Sequence, residues 1–262
     1  MMQKINEVTI LIPARLNSQR LPNKLLLEIN GLPIIEHVRR RAELNEFGAD
    51  VYVVSNDKKI LKTISGYGGK TLQTHRKHLN GTSRCSEAAE QLKSKFYLIL
   101  QGDEILALPR HINQLINESI NKPNSKIINL VSKLEKESEL KDKNIVKCLI
   151  GMNKHVIALF RKSPLTSKSK TQMQLIYKVL GMFLFESNTL SQIAKQPIQP
   201  LEKTELIEQL RLQEIGITIS SLIVDVSLES VNIASDLSKV KKKLKTDKEQ
   251  KQILAKILNY EN

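Results

Sequence analysis

The sequence predicts an α/β fold with a mostly parallel central sheet flanked by helices. Three observations predict it. Short apolar runs rich in β-branched residues recur along the chain, the first being Val8 to Ile12. Stretches of helical periodicity alternate with them, as in Ile34, Ile35, Val38 and Ala42. Several runs are apolar at successive positions, as strands buried on both faces between helical layers must be. Alternation of the two periods is the pattern of βαβ units.

In order, the first strand runs into Pro13-Ala14-Arg15 and a loop through Lys24 that holds Arg15, Arg20 and Lys24 as cations. The loop lacks GxxxxGK[ST] and GxGxxG, so it is neither a P-loop nor a dinucleotide fingerprint. A phosphate clasp and a plain basic surface loop both remain open for it. Asn30-Gly31 signals a turn, and Pro33 opens a helix. Val51 to Val54 is the second strand, a helix follows, and a short strand lies at Thr71-Leu72. Asn80-Gly81 turns into a helix for which Thr82 is the expected cap. Phe96 to Leu100 is a buried strand ending in Gln101-Gly102-Asp103-Glu104. A strand that ends so delivers carboxylates to the carboxyl edge of the sheet, where open α/β sheets bind ligands.

Beyond this point a helix follows Pro109, and Ile127 to Val131 is a strand. Asn144 to Ile150 and Val156 to Phe160 form a hairpin. Residues 162–175 are polar and expected to be loose. Leu180 to Phe185 is a strand with a short helix after it. One helix is expected from Pro200 to Gly216 and a last strand from Ile217 to Val226. A lysine-rich amphipathic helix fills 236–262.

Composition narrows the partners. The 262 residues are 40% hydrophobic, enough for a large core, and Lys+Arg 41 against Asp+Glu 27 gives +14. Such a charge suits polyanionic ligands or a lysine-rich solvated surface. A basic nucleic-acid-binding protein is the alternative of another class. The absence of Trp and the few Phe and Tyr, which leave little for base stacking, argue against it. Cys85 and Cys148 stand alone, without zinc-type spacing. No window approaches ~20 apolar residues, so no membrane insertion is expected. The first apolar run is too short for a signal peptide, and a reducing cytoplasm is the expected compartment.

Together these segments resemble the cytidylyltransferases that activate 3-deoxy-manno-octulosonate (Kdo), the CMP-Kdo synthetases, over roughly residues 8–240. The family's IPAR-xxSxRLPxKxL is present as Ile12 to Arg15, Ser18, Arg20-Leu21-Pro22, Lys24 and Leu26. Its INGxPxIxHV matches Ile29 to Val38, its SGT[DE]R matches Asn80 to Arg84, and its QGDEP matches Gln101 to Ile105. Its PLExxExLEQLR matches Pro200 to Arg211.

The resemblance implies one nucleotidyltransferase-type, Rossmann-like domain over 1–262. Residues 8–135 would be its nucleotide-binding part and 140–225 a smaller sugar-binding and dimerisation subregion. It implies CMP transfer from CTP to the anomeric hydroxyl of an acidic 2-keto sugar, Kdo or a related one, for bacterial surface polysaccharide. Arg15, Lys24 and Asp103 would be catalytic. Ala14, Arg15, Arg20, Lys24, Asn80, Gly81, Thr82, Arg84 and Gln101 would bind nucleotide. Gln101, Glu202 and Gln209 would meet the sugar. Asp103 would hold Mg²⁺, with Asn232 standing where the family's second metal-binding aspartate belongs. A homodimer is implied, with residues 156–185 in the contact.

Departures fall on functional positions. The family's HLGxYGY is here Val179 to Phe185, with Val179 for the histidine, Phe183 and Phe185 for the tyrosines and Leu184 for a glycine. Ser83 replaces the acid of SGT[DE]R. Such losses predict another acidic sugar, a slow Kdo enzyme, or an impaired relative that keeps nucleotide binding or a scaffold role.

Overall fold

The structure is a computed structural model and describes residues 7–16, 20–231 and 233–260. Ser18 and Asn232, named above, lie outside the described residues. The elements run β1 (Val8–Pro13), a 3-10 turn (Lys24–Leu26), β2 (Glu28–Ile29), β3 (Leu32–Pro33), α1 (Ile34–Glu43), β4 (Asp50–Ser55), α2 (Lys58–Gly66), β5 (Lys70–Gln73), α3 (Gly81–Ala89), β6 (Phe96–Leu100), α4 (Pro109–Asn121) and β7 (Ile127–Lys133). They continue α5 (Glu137–Lys141), β8 (Lys147–Ile150), β9 (Val156–Phe160), α6 (Ser169–Leu175), β10 (Ile176–Glu186), α7 (Ser187–Lys195), α8 (Pro200–Glu205), α9 (Leu210–Glu214), β11 (Ser220–Val224), α10 (Ala234–Thr246) and α11 (Lys248–Leu258).

The central sheet has the order β11-β7-β10-β6-β1-β4-β5. All of these strands run one way except β10, which is antiparallel to both β6 and β7. The chain winds from β1 outward to β5 and then returns to β6 on the other side of β1. The β1/β6 boundary is therefore the switch point, and a crevice opens at the carboxyl ends of these two strands. β8 and β9 form an antiparallel ladder on the end of β10, with β9 paired only to β8 among the named strands.

Alternate residues of the strands feed two cores. Ile10, Ile12, Leu98 and Leu100 pack beneath α1, α4, α10 and α11, while Leu11, Tyr97 and Ile99 pack beneath α3 and α7. This double burial explains why the strands read as continuous apolar runs. Part of one face is closed by charge: on α1, Glu36 accepts from Arg39 at 2.7 and 2.6 Å and from Arg40 at 2.5 Å, all buried. Arg40 also donates to the Ile257 carbonyl at 2.6 Å and so fastens α11 to α1.

Four sequence expectations change. The polar stretch 162–175 ends in helix α6, none of whose residues is buried, so no apolar pattern announced it. The expected helix over 200–216 is two helices, because Leu206 takes a left-handed backbone at φ 55°. The expected C-terminal helix is also two, divided at Asp247, whose carboxylate caps α11 by accepting from Gln250 N at 2.9 Å. The cap of α3 is Asn80 rather than Thr82: its Oδ1 accepts from Ser83 N at 2.9 Å. Asn80 has the extended backbone a cap requires, whereas Thr82 lies inside the helix.

No described helix is long and apolar enough to cross a membrane. The apolar face of the C-terminal pair is spent on the core through Val240, Leu244, Ile253 and Ile257. Its exposed lysines, among them Lys241, Lys242 and Lys245, face outward. Replacing Ile257, fully buried, by Ala should cost about 2–5 kcal/mol in urea unfolding, and Leu258→Ala, at 41% exposure, much less.

Protonation supplies a second check. His37 is buried and neutral, its Nε2 bonded to the Ile29 carbonyl at 2.6 Å. Burial lowers its pKa from 6.5 to about 4. The unfolded chain therefore takes up this proton first. The stability it contributes is complete above about 6.5 and is lost as pH falls towards about 4. His37→Gln should flatten the stability–pH curve across that window, measured by denaturant titration at each pH.

Candidate functional site

The loops after β1 and β6 meet across the switch point. Ala14 is fixed there by its N–H to the Val54 carbonyl at 2.9 Å and by Ser55 Oγ donating to its own carbonyl at 2.9 Å. Asp57 accepts from Leu16 N at 2.8 Å and holds the loop's next turn. Two steric details explain the glycines. A Cβ on Gly102 would lie 2.9 Å from the Pro13 carbonyl oxygen, and one on Gly81 would lie 3.0 Å from the Pro13 ring. Any side chain at either position would push the loops apart.

Two cavities adjoin at this place. The first, about 810 Å³, is bounded by Arg15, Lys24, Asn80, Gly81 and Arg84, with Ala14 also in its wall. The second, about 670 Å³, is bounded by Thr82, Glu104, Lys178, Val179, Phe183 and Gln209. Arg20, Gln101, Asp103, Leu206 and Glu208 line both and form the boundary between them.

The charges are held as follows. Lys24 is buried, and its Nζ donates to Asp103 Oδ2 at 2.6 Å and to the Val231 carbonyl at 2.7 Å. Arg15 and Arg20 are exposed. Arg15 reaches the Leu79 carbonyl at 3.4 Å, and Arg20 bonds Asn144 Oδ1. Arg84 is buried, donates to Thr74 Oγ1 at 2.6 Å, and has its pKa lowered by burial. Gln101 N–H donates to the Gly181 carbonyl at 2.9 Å, which stitches the end of β6 to β10.

Three carboxylates behave differently from one another. Asp103 keeps 26% side-chain exposure at the junction. Glu104 points the other way: burial, then the neighbouring Asp103 charge, raises its pKa to about 8. It lies where a Cβ on Gly181 would come within 2.4 Å of its Oε1, so a glycine on β10 makes the room. Glu208 was not singled out from the sequence. It faces both cavities from the break between α8 and α9, and its Oε2 lies 3.4 Å from Thr82 N at the start of α3. Burial raises its pKa, against the hydrogen bonds from Thr82. The break at Leu206 could have flagged it only with the backbone in hand, since the heptad-like spacing of Leu206, Ile207 and Leu210 reads as continuous helix.

The expected sugar contacts separate. Gln209 is buried beside the second cavity and donates to Asn129 Oδ1 at 3.3 Å. Glu202 is a correction: it borders the first cavity, and both its oxygens are taken by the buried Arg211 guanidinium, Oε1 at 2.6 Å from Nη2 and Oε2 bonded to Nε. A carboxylate gripped at both oxygens by a fork of donors is a structural pair. The altered β10 motif also divides. Val179 and Phe183 line the second cavity, whereas Leu184 and Phe185 are core residues at 1% and 0% exposure.

No group of three or more His, Cys, Asp or Glu that could hold a metal occurs among the described residues. Asp103 and Glu208 are the carboxylates placed between the cavities, and burial raises the pKa of Glu208, which leaves Asp103 as the better cation ligand. A hard dication that is shared with substrate phosphates needs only one or two such carboxylates, so the oxygen donor present fits magnesium as a substrate-shared ion and not as a protein-caged one.

Comparison with known proteins accords with this geometry. A family model described as cytidylyltransferase matches residues 9–219. The 3-deoxy-manno-octulosonate cytidylyltransferase of Thermodesulfovibrio yellowstonii is 34% identical over 254 residues, covering 91% of this chain and 99% of that protein. The 8-amino-3,8-dideoxy-manno-octulosonate cytidylyltransferase of Shewanella baltica is 33% identical over 244 residues, covering 92% and 99%. A solved structure of CMP:2-keto-3-deoxy-manno-octonic acid synthetase complexed with CTP superposes with a TM-score of 0.85 at 28% identity, covering 92% of this chain and 99% of that one. A cytidylyltransferase from Leptospira borgpetersenii, at 15% identity and a TM-score of 0.65, shares the fold. With the family pattern spanning most of its length and such relatives aligned nearly end to end, this chain belongs to the cytidylyltransferase family.

Proposed function

We propose that the chain transfers CMP from CTP to the anomeric hydroxyl of a Kdo-type acidic 2-keto sugar and releases pyrophosphate. The observation that carries this reading is the pair of adjoining cavities whose shared boundary includes Arg20, Gln101, Asp103 and Glu208. One cavity for a nucleotide and one for an acceptor, meeting at a carboxylate, is the arrangement a two-substrate phosphoryl transfer needs.

In this reading the first cavity takes CTP. Arg15, Arg20 and Lys24 face the triphosphate, and Asn80, Gly81 and Arg84 at the start of α3 face the nucleoside, whereas Thr82, expected with them, lines the second cavity. The second cavity takes the sugar, with Gln209 and Gln101 toward its hydroxyls. The sugar oxygen forms a bond to the α-phosphorus as the bond to the β-phosphate oxygen breaks. The hydroxyl proton leaves to solvent or base, and pyrophosphate departs. The cations neutralise charge that grows on the leaving group. Mg²⁺, held by Asp103 and phosphate oxygens, would supply further neutralisation there. Asn232 is the proposed second contact, with an amide oxygen in place of a carboxylate.

A homodimer is proposed as well. The support is the β9 edge strand, where Ile157 is 66% exposed, together with Leu175 at 51% in the same 156–185 stretch. Apart from Val156, whose N–H goes to the Ile219 carbonyl at 2.8 Å, this edge pairs only with β8 among the named strands, and an edge carrying an exposed apolar residue is usually covered. Two buried cysteines without a disulfide, and a nucleoside triphosphate as substrate, suit a reducing cytoplasm.

The test is pyrophosphate release from CTP and Mg²⁺ with Kdo, its 8-amino derivative and related 2-keto sugar acids. Release with at least one is expected, and silence across the panel by protein that binds CTP would sink the activity. Asp103→Asn should lower kcat by roughly 10²–10³-fold, the scale of losing one charge-stabilising group. Wild-type turnover in that variant would remove Asp103 from the reaction. Light scattering at micromolar concentration should give twice the chain mass, and a monomer would refute the dimer.

A further inference from the structure

The second cavity has two rims that are far apart in sequence. One is the segment 135–141 that leads into and forms α5. The other is the segment 227–231 that connects β11 to α10. Glu135, Lys136, Ser138 and Glu139 line the cavity from the first rim, and Ser227, Leu228, Glu229 and Ser230 from the second. No strand pairing joins them.

What joins them is Lys178 of β10, on the cavity floor. Its Nζ lies 3.1 Å from Ser227 Oγ, 3.2 Å from the Leu228 carbonyl oxygen and 3.4 Å from Glu139 Oε1. An ammonium has three N–H donors and no acceptor, so these three acceptors use it completely. The side chain is 14% exposed and its partner Glu139 16%, so the contacts are shielded from bulk water. Each rim is braced in turn. Glu139 Oε2 accepts from Glu135 N at 2.6 Å and Lys136 N at 3.2 Å and so turns the chain into α5. Leu228 and Val231 are buried in the main core, and Val231 is held at its carbonyl by Lys24.

The second rim is therefore pinned at both ends by lysines from different places. Lys24, from the first cavity, holds Val231, and Lys178 holds Ser227 and Leu228. A triphosphate in the first cavity would compete for Lys24, whereas Lys178 borders only the second cavity.

We propose that Lys178 is a positioning residue that ties the two rims of the sugar cavity together and sets its width for the acceptor sugar. The tie is a property of the chain, and the role in sugar binding rests on the function proposed above. It separates two tasks that the motif leaves merged, since neighbouring Val179 and Phe183 offer contact surface whereas Lys178 fixes where the rims stand. Its three bonds go to protein, so it acts on the sugar through Ser227, Leu228 and Glu139.

Lys178→Met tests this, because it keeps the stem and removes the three bonds. Hydrogen exchange followed by mass spectrometry on the intact protein should show both 135–141 and 227–231 opening roughly tenfold faster together, with the β1 strand unchanged. Unchanged exchange, or a change in one rim alone, would overturn the tie. With a sugar that the wild-type chain turns over, the variant's kcat/KM for sugar should fall roughly tenfold to a hundredfold, mostly through KM, as slight misplacement does. The Kd for CTP should change less than the sugar KM, because Lys178 borders only the second cavity. An unchanged sugar KM beside altered exchange would overturn the positioning role. If the wild-type chain turns over no sugar, the proposed activity fails, and the exchange result alone judges the tie. Ser227→Ala removes one acceptor with little risk to folding. It should show a smaller shift in the same direction, and Lys178→Arg should restore part of the loss. Absence of both effects in folded protein would count against the proposal.

Discussion

One buried ammonium sets the position of everything around the site. Lys24 is 8% exposed and comes from the loop after β1. A charge out of water needs compensation by charge and hydrogen bonds together. Lys24 finds a carboxylate from the end of β6 and a carbonyl from the segment after β11. Val231 then returns its N–H to the Asp103 carbonyl at 3.3 Å. Three chain segments distant in sequence are thereby fixed at one point. Breaking such a pair from one side costs about 3–5 kcal/mol, because the partner charge stays behind. Loss of activity on changing either residue must therefore be read beside the stability of the variant. Lys24 and Asp103 each neutralise the other until a ligand offers either a different partner.

Electrostatics alone would not hold this geometry without steric permission. Gly102 lets the Pro13 backbone close on the end of β6, and Gly181 lets Glu104 close on β10. β10 is also irregular here: its register with β7 shifts between Val179 and Phe183. An antiparallel strand set among parallel neighbours, with a shift beside the glycine, turns its residues toward the cavity. Glu104, with its pKa raised to about 8 by burial and by Asp103, tolerates this place as a neutral acid. The adjacent carboxylates of one motif are thus given opposite environments, one half-open to the substrate junction and one packed under β10.

Much of this was legible in the sequence, for physical reasons that differ by element. β1, β4, β6 and β7 are apolar on both faces and announce themselves as buried strands. The QGDE end of β6 could be placed at the carboxyl edge because strand direction is fixed by chain order in βαβ units. The two helix breaks were not legible. Leu206 pays no visible compositional penalty for its left-handed backbone, and Lys-rich sequence continues unbroken past Asp247. α6 has no apolar face to read. Glu202 and Glu208 could not be told apart by type, since both are glutamates in one motif. Tertiary contact separates them: Arg211 takes both oxygens of the first, and the break at Leu206 turns the second into the cavities.

The altered β10 motif has a narrower meaning in three dimensions than in one. Leu184 and Phe185 lie within the two cores and line neither cavity. Only Val179 and Phe183 change the lining of the sugar cavity. A wall that lacks hydrogen-bond groups penalises a hydroxyl pressed against it, because that hydroxyl loses its water without gaining a partner. It leaves a deoxy carbon or ring C–H face unpenalised. Hydrogen-bonding groups of the cavity stand elsewhere on its lining, among them Gln209, Gln101 and Glu208 near Asp103 and Lys178, Glu139 and Ser227 at the rims. An acceptor in this cavity would meet apolar surface at Val179 and Phe183 and hydrogen-bonding groups at Gln209 and the end of β6. Gln101, Asp103 and Glu208 stand at the junction of the two cavities, so the acceptor hydroxyl of a bound sugar would have to reach that edge for its attack on the nucleotide to begin.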